Sequence, residues 1–365
     1  MQSFLFGEKV LMMVPKQLTA FCYNMAYAVN IHKPALLYKL LWRTIYSKLL
    51  RTPKLRYVDL CVSASCNLSC EHCFSENFKN RSTDELSWRK EELSLDEWGG
   101  VISRCKKAGA LSFGITGGEP LLYERLADLI RLIGPSDTYI TINSNGTLFD
   151  EKKAIELSAL GVDAMLFSLD SADVAFHDKF RRMENAFEKT LNAVRLALRC
   201  GFKVCVVCTV SHENCKSRGV ISLIELTRRL GVMLIISRAA PVGRWRGRMD
   251  ILLTKDDQRY IYGLVSKHPH VRTDFETNIL KFGCSAGAEK LYITPYGDVL
   301  PCPFMHISFG NVLKMPLEII RENMMRQLGA YATTCFVAEN SDFIRRHLSK
   351  TFEKPCIVGA RECFL

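Results

Sequence analysis

The stretch LRYVDLCVSASCNLSCEHC, from Leu55 to Cys73, runs from an apolar segment directly into three cysteines. Its first part, Leu55–Val62, is short and mostly apolar, which predicts a buried β-strand. Cys66, Cys70 and Cys73 then form a CxxxCxxC triplet. Soft thiolates suit iron–sulfur clusters or zinc, and three at this spacing can hold three corners of a cubane and leave one iron open.

The competing interpretation of the triplet is a zinc site completed by His72, or a set of buried thiols. Zinc sites usually combine one CxxC pair with a distant second pair, which this triplet lacks. Three cysteines so close together on a loop are also unusual as packing residues. We therefore favour an iron–sulfur cluster bound by Cys66, Cys70 and Cys73.

Downstream of this stretch, short apolar strands alternate with helical patterns, which is typical of βα units around a parallel sheet. The predicted strands are Leu55–Val62, Leu111–Thr116, Tyr139–Asn143, Ala164–Leu169, Lys203–Val210 and Val232–Ser237. The predicted helices are Leu95–Ala108, Leu121–Leu132, Glu151–Leu160, Ala186–Arg199 and Gly219–Leu230. Six units are too few for a closed eight-unit barrel. We therefore predict an α/β fold built on a partial (β/α)6 TIM-type barrel, with its active groups just after the strands.

The pattern loosens from about residue 250. Two apolar segments, Leu291–Ile293 and Val299–Leu300, then flank the turn Thr294–Gly297, in which proline and glycine favour a tight reversal. We therefore predict three parts: a basic amphipathic helical extension at 1–54, the partial barrel at 55–250, and a small cysteine-bearing α+β module at 251–365.

The composition indicates a folded chain with reduced thiols. The 365 residues are 48% hydrophobic, which is enough to bury a large core. The 15 cysteines lie in a long chain that no signal-peptide pattern opens, so we expect free thiols and a cytoplasmic protein. We expect core positions, on strands or helical faces, for Cys22, Cys61, Cys105, Cys200, Cys205, Cys208 and Cys215.

Positive charge is concentrated at the start of the chain. Of the net charge of +11, +8 falls in residues 1–56, where nine Lys or Arg accompany one Glu. The segment Pro34–Leu50 predicts an amphipathic helix. Its apolar face consists of Tyr38, Leu41, Trp42, Ile45 and Leu49, while Lys39, Arg43 and, just beyond the end, Arg51 lie on another face.

Two interpretations of this extension remain open. Residues 1–54 either make peripheral contact with a membrane or another anionic partner, or pack on the outside of the barrel. The longest uncharged stretch upstream, Gln17–Ile31, is shorter than the about 20 residues that span a bilayer. Because the basic residues are interleaved with aliphatic and aromatic ones, we expect no nucleic acid partner.

The triplet that follows the first strand resembles the signature of the radical S-adenosylmethionine (SAM) family, and the resemblance covers residues 55 to about 245. It implies that the open iron binds SAM. It also implies that one electron, supplied by an external reductant of the flavodoxin or ferredoxin type, releases a 5′-deoxyadenosyl radical. Gly117-Gly118-Glu119-Pro120 is similar to the family's GGEP motif. That similarity implies that Gly117, Gly118 and Glu119 hold the SAM amino group.

Two further turns are similar to motifs of the same family. Ser144-Asn145-Gly146 resembles the TNG turn near the cofactor, which makes Asn145 a candidate SAM contact. Ser168-Leu169-Asp170 resembles the SLD motif, which implies that Ser168 contacts the ribose or the carboxylate of SAM and adds Asp170 to the candidate site.

The segment His177–Arg181 resembles a family segment in which the arginine pairs with the SAM carboxylate. Arg181 suits that task because a guanidinium forms bidentate bonds to carboxylates. Two glycines that often follow this arginine are replaced here by Arg182 and Asn185. Pro241-Val242-Gly243-Arg244 also matches a recurring turn of the family, to which we assign no chemistry.

The C-terminal module resembles the start of a SPASM or twitch domain, which binds auxiliary iron–sulfur clusters. The resemblance is carried by Cys284, the hairpin, and Cys302, although the dense CxxC set of a full SPASM domain is missing. It implies one auxiliary cluster with Cys284 and Cys302 as ligands. The remaining ligands are expected to be Cys335 and Cys356, with Cys363 as a competitor.

The sequence leaves the substrate open between two classes. The first is a small or membrane-derived molecule recruited by the basic, aromatic N-terminus. The second is a ribosomally made peptide or a protein, for which the short segment before the barrel offers little room for a leader-binding domain. A non-enzymatic zinc scaffold is the remote third alternative.

Overall fold

The computed structural model describes residues 27, 30–50, 54–79, 91–274, 284–329 and 332–364. Its strands are β1 (Tyr57–Cys61), β2 (Ser112–Thr116), β3 (Tyr139–Ser144), β4 (Ala164–Ser168), β5 (Lys203–Val210), β6 (Met233–Arg238), β7 (Val271–Thr273), β8 (Lys290–Ile293), β9 (Val299–Leu300), β10 (Ile307–Ser308) and β11 (Val358–Gly359). Its α-helices are α1 (Pro34–Leu50), α2 (Glu76–Lys79), α3 (Leu95–Ala108), α4 (Leu126–Ile133), α5 (Glu151–Ala159), α6 (Val174–Arg181), α7 (Ala186–Arg199), α8 (Arg218–Leu230), α9 (Lys255–Lys267), α10 (Leu317–Leu328), α11 (Ser341–Arg346) and α12 (Ala360–Phe364).

Helix α3 shows how local sequence sets these elements. Ser94 and Glu97 form a capping box at its N-terminus, and Gly109 closes it in the left-handed conformation. Between these caps, apolar residues recur on one face and are buried against the sheet, Trp98 and Cys105 among them. The helix therefore begins and ends where the sequence predicted.

Nine strands form one sheet in the order β7-β6-β5-β4-β3-β2-β1-β8-β9. Every neighbouring pair is parallel except β8 and β9, which form the predicted antiparallel hairpin. Helices separate the successive strands β1 to β7, as in a partial TIM barrel, which confirms the predicted fold class. The carboxyl ends of the parallel strands therefore share one edge of the barrel.

The sheet is larger than the sequence predicted. Helix α9 and strand β7 continue the barrel beyond residue 250, and β7 pairs in parallel with β6. On the other side, β8 pairs in parallel with β1, in the register Tyr57 with Lys290 and Leu60 with Ile293. The hairpin of the C-terminal module is thus part of the barrel sheet. The boundaries of the three predicted parts stay a prediction.

Helix α1 lies across the amino ends of the barrel strands. Residues in and just before it bond to atoms at or next to the starts of β1, β3, β4, β5 and β6. These bonds join Arg43 NH1 to Leu55 O (3.1 Å), Lys33 Nζ to Thr138 O (3.0 Å) and Asp163 Oδ2 (2.5 Å), Tyr27 Oη to Val204 O (2.7 Å), and Met233 N to Tyr27 Oη (3.1 Å). The helix therefore packs on the barrel, across its closed end. Within the described ranges, no helix is both long and apolar enough to cross a membrane.

Candidate active site

The cysteine triplet lies on the loop that leaves the carboxyl end of β1. The Leu68 N–H donates to Cys66 Sγ (3.4 Å), and the Arg181 guanidinium donates to Cys70 Sγ (3.7 Å). Cys73 Sγ lies 3.2 Å from Ser75 Oγ. The pKa of the Cys66 thiol is raised to about 11, mainly by burial and in smaller part by the nearby Glu119, Cys70 and Cys73.

The donor set of this loop fits an iron–sulfur cluster. Three thiols lie close enough to influence each other's ionisation, and two of them accept N–H bonds of the kind that stabilise thiolate ligands. Among the residues that the structure describes, no group of three or more His, Cys, Asp or Glu side chains is already arranged to hold a metal ion.

The turn after β6 clamps the cysteine loop. The Arg244 N–H donates to Cys73 O (3.0 Å), and Arg244 NH1 donates to Ser69 O (2.6 Å). Arg244 Nε also bonds to Glu76 Oε2 (3.1 Å). Gly243 has φ +61°, and a Cβ there would lie 2.0 Å from Cys73 O. This turn, for which no chemistry was predicted, therefore fixes the backbone that carries the triplet.

Gly117 and Gly118 bring the loop after β2 against the same cysteine loop. The Gly118 N–H donates to Ser63 O and the Glu119 N–H to Ser65 O, both at 2.8 Å. A Cβ on Gly118 would lie 2.2 Å from Ser65 O. The close approach that the two glycines permit is thus between two backbone segments of the protein. Their contact with SAM stays a prediction.

Glu119 is buried and joins the ends of β2 and β3. Its carboxylate accepts from Ser144 Oγ (2.8 Å), the Asn145 N–H (2.8 Å) and the Leu121 N–H (3.1 Å). Burial raises the pKa of Glu119, while these hydrogen bonds oppose the increase. Because a carboxylate has about four acceptor positions, three bonds leave room for one more donor.

Asn145 connects this network to the triplet. Its amide Nδ2 donates to Asn67 Oδ1 (2.9 Å) and reaches Cys66 Sγ (4.0 Å). Its Oδ1 accepts from the Thr147 N–H and hydroxyl. The Asn145 side chain is therefore held in one orientation beside the first cysteine.

Arg181 and Asp170 form a buried ion pair next to the second cysteine. Arg181 Nε donates to Asp170 Oδ2 (2.6 Å), while the Thr209 N–H donates to the other carboxylate oxygen (2.9 Å). Burial alone would raise the pKa of Asp170, but Arg181 holds it below its usual range. The predicted partner of Arg181 was the SAM carboxylate, and the structure adds Asp170 and Cys70 as partners within the protein.

The loop after Arg181 adopts the left-handed backbone conformation at two positions without glycine. Arg182 and Asn185 both adopt the left-handed conformation, with φ of +54° and +59°. These are the positions at which the sequence departs from the glycines of the resembling family. Left-handed φ is sterically costly for residues with a Cβ, so tertiary contacts hold this turn. Two of those contacts are the bonds that Asp178 accepts from the Asn185 and Phe187 N–H groups.

A cavity of about 530 Å³ occupies the barrel lumen. His72, Ser168 and Arg181 line it at the carboxyl ends of the strands, which we call the mouth, and Leu36 and Leu40 of α1 line it at the amino ends. Its wall also carries polar and charged groups from the strands. These include Asp59, Thr141, Asn143, Thr209, Ser237, Arg238, Asp274 and Lys290.

Arg238, at the end of β6, links this lumen to the C-terminal cysteines. Its guanidinium bonds to Asp274 Oδ1 (2.9 Å) and Glu339 Oε1 (2.5 Å). Glu339 Oε2 in turn accepts from the Cys335 N–H (2.9 Å). Arg238 was not among the residues predicted from the sequence, although a charged residue at the carboxyl end of a barrel strand is a signal for a functional role.

Cys284, Cys302 and Cys335 lie near one another in the C-terminal module. The Cys284 N–H donates to Ala332 O (2.6 Å), which brings it beside the segment that carries Cys335. Burial raises the pKa of Cys302 to about 12, and Cys284 adds to the increase. Burial also raises the pKa of Cys335, to which Cys284 and Cys302 both contribute.

Cys356 and Cys363 have different surroundings. Cys356 is buried and stands just before β11, whose Val358 N–H donates to His306 O (3.1 Å), four residues after Cys302. The charged neighbours of Cys363 are Glu362, Lys350 and Lys354, and its carbonyl bonds to His347.

The remaining cysteines were expected to be core residues. The structure buries five of them: Cys61, Cys105, Cys205, Cys208 and Cys215. Cys200 is only partly buried, because it ends α7 at the surface. Cys22 lies outside the described residues.

The fold and the loop define a class: partial-barrel proteins with a cysteine triplet at the carboxyl end of the first strand. Residues 60–215 match the family model of the radical SAM superfamily, and residues 284–356 match SPASM, an iron–sulfur cluster-binding domain. The chain belongs to the radical SAM superfamily and carries a SPASM domain.

Curated relatives are similar to about 70% of this chain. The AdoMet-dependent heme synthase of Methanosarcina barkeri is 26% identical over 292 residues, which cover 72% of this chain and 80% of the relative. The mycofactocin maturase MftC of Mycobacterium tuberculosis is 30% identical over 274 residues, or 68% of this chain and 65% of the relative. The structure of Streptococcus suis SuiB bound to S-adenosylmethionine has a TM-score of 0.57 at 17% identity, covering 76% of this chain and 68% of SuiB.

The protein is therefore a radical SAM enzyme. Its radical SAM domain uses a [4Fe-4S] cluster and SAM, and its SPASM domain binds auxiliary iron–sulfur clusters.

Proposed function

We propose that Cys66, Cys70 and Cys73 hold the [4Fe-4S] cluster and that SAM binds beside it at the barrel mouth. The observation that carries this proposal is that residues from the ends of β2, β3 and β4 converge on the cysteine loop. When bound, the cluster and SAM supply a 5′-deoxyadenosyl radical that abstracts a hydrogen atom from the substrate.

The residues of the chain have separate tasks in this proposal. Arg181, oriented by Asp170, stabilises the Cys70 thiolate through a charge-assisted hydrogen bond and offers its cation to the SAM carboxylate. Glu119 uses its remaining acceptor position for the SAM ammonium. Asn145 contacts Cys66 Sγ through its amide Nδ2. Gly117 and Gly118 let the loop after β2 lie close against the cysteine loop. Ser168, in the cavity wall, contacts SAM.

The proposed substrate is a small polar molecule that enters the lumen from this mouth. The cavity volume lies in the about 300–1,000 Å³ range of small-molecule sites. Ion pairs such as Arg238 with Asp274 and Lys290 with Asp59 give its wall a polar character. The apolar face of α1 lies at the other end of the barrel, which disfavours delivery of a membrane-derived substrate by that helix.

The second candidate is a maturase that admits one side chain of a peptide into the same lumen. It is supported by relatives named as maturases, including MftC and the Bacillus subtilis sporulation killing factor maturation protein SkfB. In either case an external one-electron reductant of the flavodoxin or ferredoxin type reduces the enzyme.

Anaerobic reconstitution with iron and sulfide tests the proposed chemistry. The protein incubated with SAM and dithionite is expected to release 5′-deoxyadenosine, and Cys70→Ala is expected to abolish that release. Cys200→Ala is the matched control, because Cys200 is a partly buried cysteine at the end of a helix. Release by Cys70→Ala at the wild-type rate would show that the triplet does not hold the cluster.

The substrate class is tested by deuterium transfer. An extract from cells grown in heavy water is separated into a small-molecule filtrate and a peptide-containing retentate, and each is added to the reconstituted enzyme. Deuterium in the 5′-deoxyadenosine is expected with the filtrate. Deuterium with the retentate alone overturns the small-molecule substrate in favour of the peptide.

A further inference from the structure

Helix α1 exposes a continuous stripe of large apolar side chains. The exposed fractions are 63% for Tyr38, 63% for Leu41, 56% for Trp42, 40% for Ile45 and 76% for Leu49. Their spacing of three, four and seven residues places them on one side of the helix. Large apolar side chains usually leave water on folding, so a whole exposed stripe indicates a surface that meets something else.

The fold does not depend on this stripe. The other side of α1 makes the contacts with the barrel: Leu36 is fully buried, Leu40 lines the lumen, and Arg43 bonds to Leu55 O. Within the stripe, Trp42 Nε1 donates to Tyr38 Oη (2.5 Å) and the two rings pack edge to face. The stripe is therefore preformed on a helix that its opposite face holds in place.

Basic side chains border the stripe. A groove of about 450 Å³ beside Tyr38 and Trp42 is lined by several cations and by a single carboxylate, Asp137. The cations are Lys39, Arg43, Lys54, Lys106 and Lys107. Asp137 pairs with Lys39 and Lys106. Among the described residues that line the groove, the five cations outnumber this carboxylate.

We propose that α1 docks the protein on an anionic lipid surface, with the apolar stripe in the interface and the basic groove on lipid headgroups. Aromatic residues next to aliphatic ones suit the boundary between headgroups and acyl chains, and lysine and arginine beside them suit anionic lipids. A protein partner of the same shape would need acidic groups around its own apolar patch, whereas a lipid surface supplies both features.

The topology fixes the orientation of the docked protein. Helix α1 crosses the amino ends of the parallel strands, whereas the cysteine loop follows the carboxyl end of β1. Strands of five or six residues separate these two ends by about 17–20 Å. On a membrane the barrel mouth would face the aqueous phase. Docking therefore sets the location of the enzyme and leaves substrate entry to the aqueous side.

Vesicle co-sedimentation of the full chain tests the proposal. The wild type is expected to sediment with vesicles of phosphatidylcholine and phosphatidylglycerol and to bind pure phosphatidylcholine weakly. The double variant Leu41→Ser, Ile45→Ser should bind at least about tenfold more weakly, because two apolar side chains leave the interface. The matched control is Ile155→Ser, Ile221→Ser, since these residues are exposed apolar side chains of other helices and should change nothing.

The charge component has its own variant. Lys39→Glu, Lys107→Glu is expected to remove the preference for phosphatidylglycerol, and all variants should form 5′-deoxyadenosine at the wild-type rate. If the wild type stays in solution when anionic vesicles are sedimented, the proposal is overturned. Coverage of the stripe by residues 1–26 or by a second copy of the chain would give that result. Equal binding by Leu41→Ser, Ile45→Ser and its control also overturns it. These outcomes are independent of cluster and SAM chemistry.

Discussion

The backbone position of Gly243 is unfavourable for any residue with a Cβ. Its φ of +61° is left-handed, and a Cβ would enter the space of Cys73 O at 2.0 Å. We expect Gly243→Ala to displace the loop of the triplet and to lower the iron content of the reconstituted protein from about eight to about four atoms per chain. Iron and sulfide analysis together with the visible absorption spectrum measures this loss.

Gly201 provides the matched control for that change. Its φ of +81° is also left-handed, but a Cβ there would meet nothing within 4 Å. Gly201→Ala should therefore cost only about 1–2 kcal/mol of backbone strain and keep its full iron content. If both variants keep their iron, the contact between Gly243 and Cys73 does not hold the loop.

Asp170 is the carboxylate partner of a buried guanidinium in the barrel interior. It is fully buried, and it neutralises Arg181 at 2.6 Å. Asp170→Asn would leave the buried guanidinium without its carboxylate, so we expect a loss of about 3–5 kcal/mol in the free energy of unfolding. Urea denaturation measures it. Asp128→Asn, in an exposed pair with Arg125, should leave that free energy unchanged, and equal stability of both variants would contradict the argument.

At the scale of elements, the sequence predicted the strands and helices whose positions depend on local apolar patterns. Strands β1 to β6 were placed within two residues at each end, because short apolar runs bounded by turn residues are a direct signal. Helix α9 was missed because charged and polar residues dominate Lys255–Lys267. Strand β7 was missed because its three residues are too few to show a periodic pattern. The pairing of β8 with β1 joins segments more than 200 residues apart, which no local pattern encodes.

That pairing leads to a prediction about cooperativity. Strand β1 is hydrogen-bonded to β2 on one side and to β8 on the other. We expect the amides of β8 to become exchangeable at the same urea concentration as those of β2, since opening either edge exposes β1. Hydrogen exchange with mass spectrometry measures both segments in one experiment. Exchange of β8 at a clearly lower urea concentration would show that the C-terminal module opens independently.

At the scale of the whole molecule, the convergence of the candidate site residues was predictable, because their motifs follow parallel strands. Glu119, Asn145 and Arg181 are far apart in sequence, yet the shared carboxyl edge brings them to the cysteine loop. The clamp by Gly243 and Arg244 was not predictable, because it is a contact between two loops with no pattern of their own.

The link from Arg238 through Glu339 to Cys335 was also not predictable from the sequence, because it depends on how the C-terminal module packs against the barrel. It bears on which thiols bind the auxiliary cluster. Cys335 lies with Cys284 and Cys302 at the end of this link, whereas the charged neighbours of Cys363 belong to the last turns of the chain. A cluster at this position would sit beside the substrate lumen.

Iron stoichiometry distinguishes the competing cysteines. We expect the reconstituted wild type to bind about eight irons per chain, Cys335→Ala to retain about four, and Cys363→Ala to retain about eight. Cys363 is buried and Cys335 is only partly buried, so Cys363→Ala should have at least the packing cost of Cys335→Ala. The difference between them therefore reports ligation. The reverse result, with iron lost from Cys363→Ala alone, would move the auxiliary cluster to the C-terminal helix and away from Arg238 and the barrel lumen.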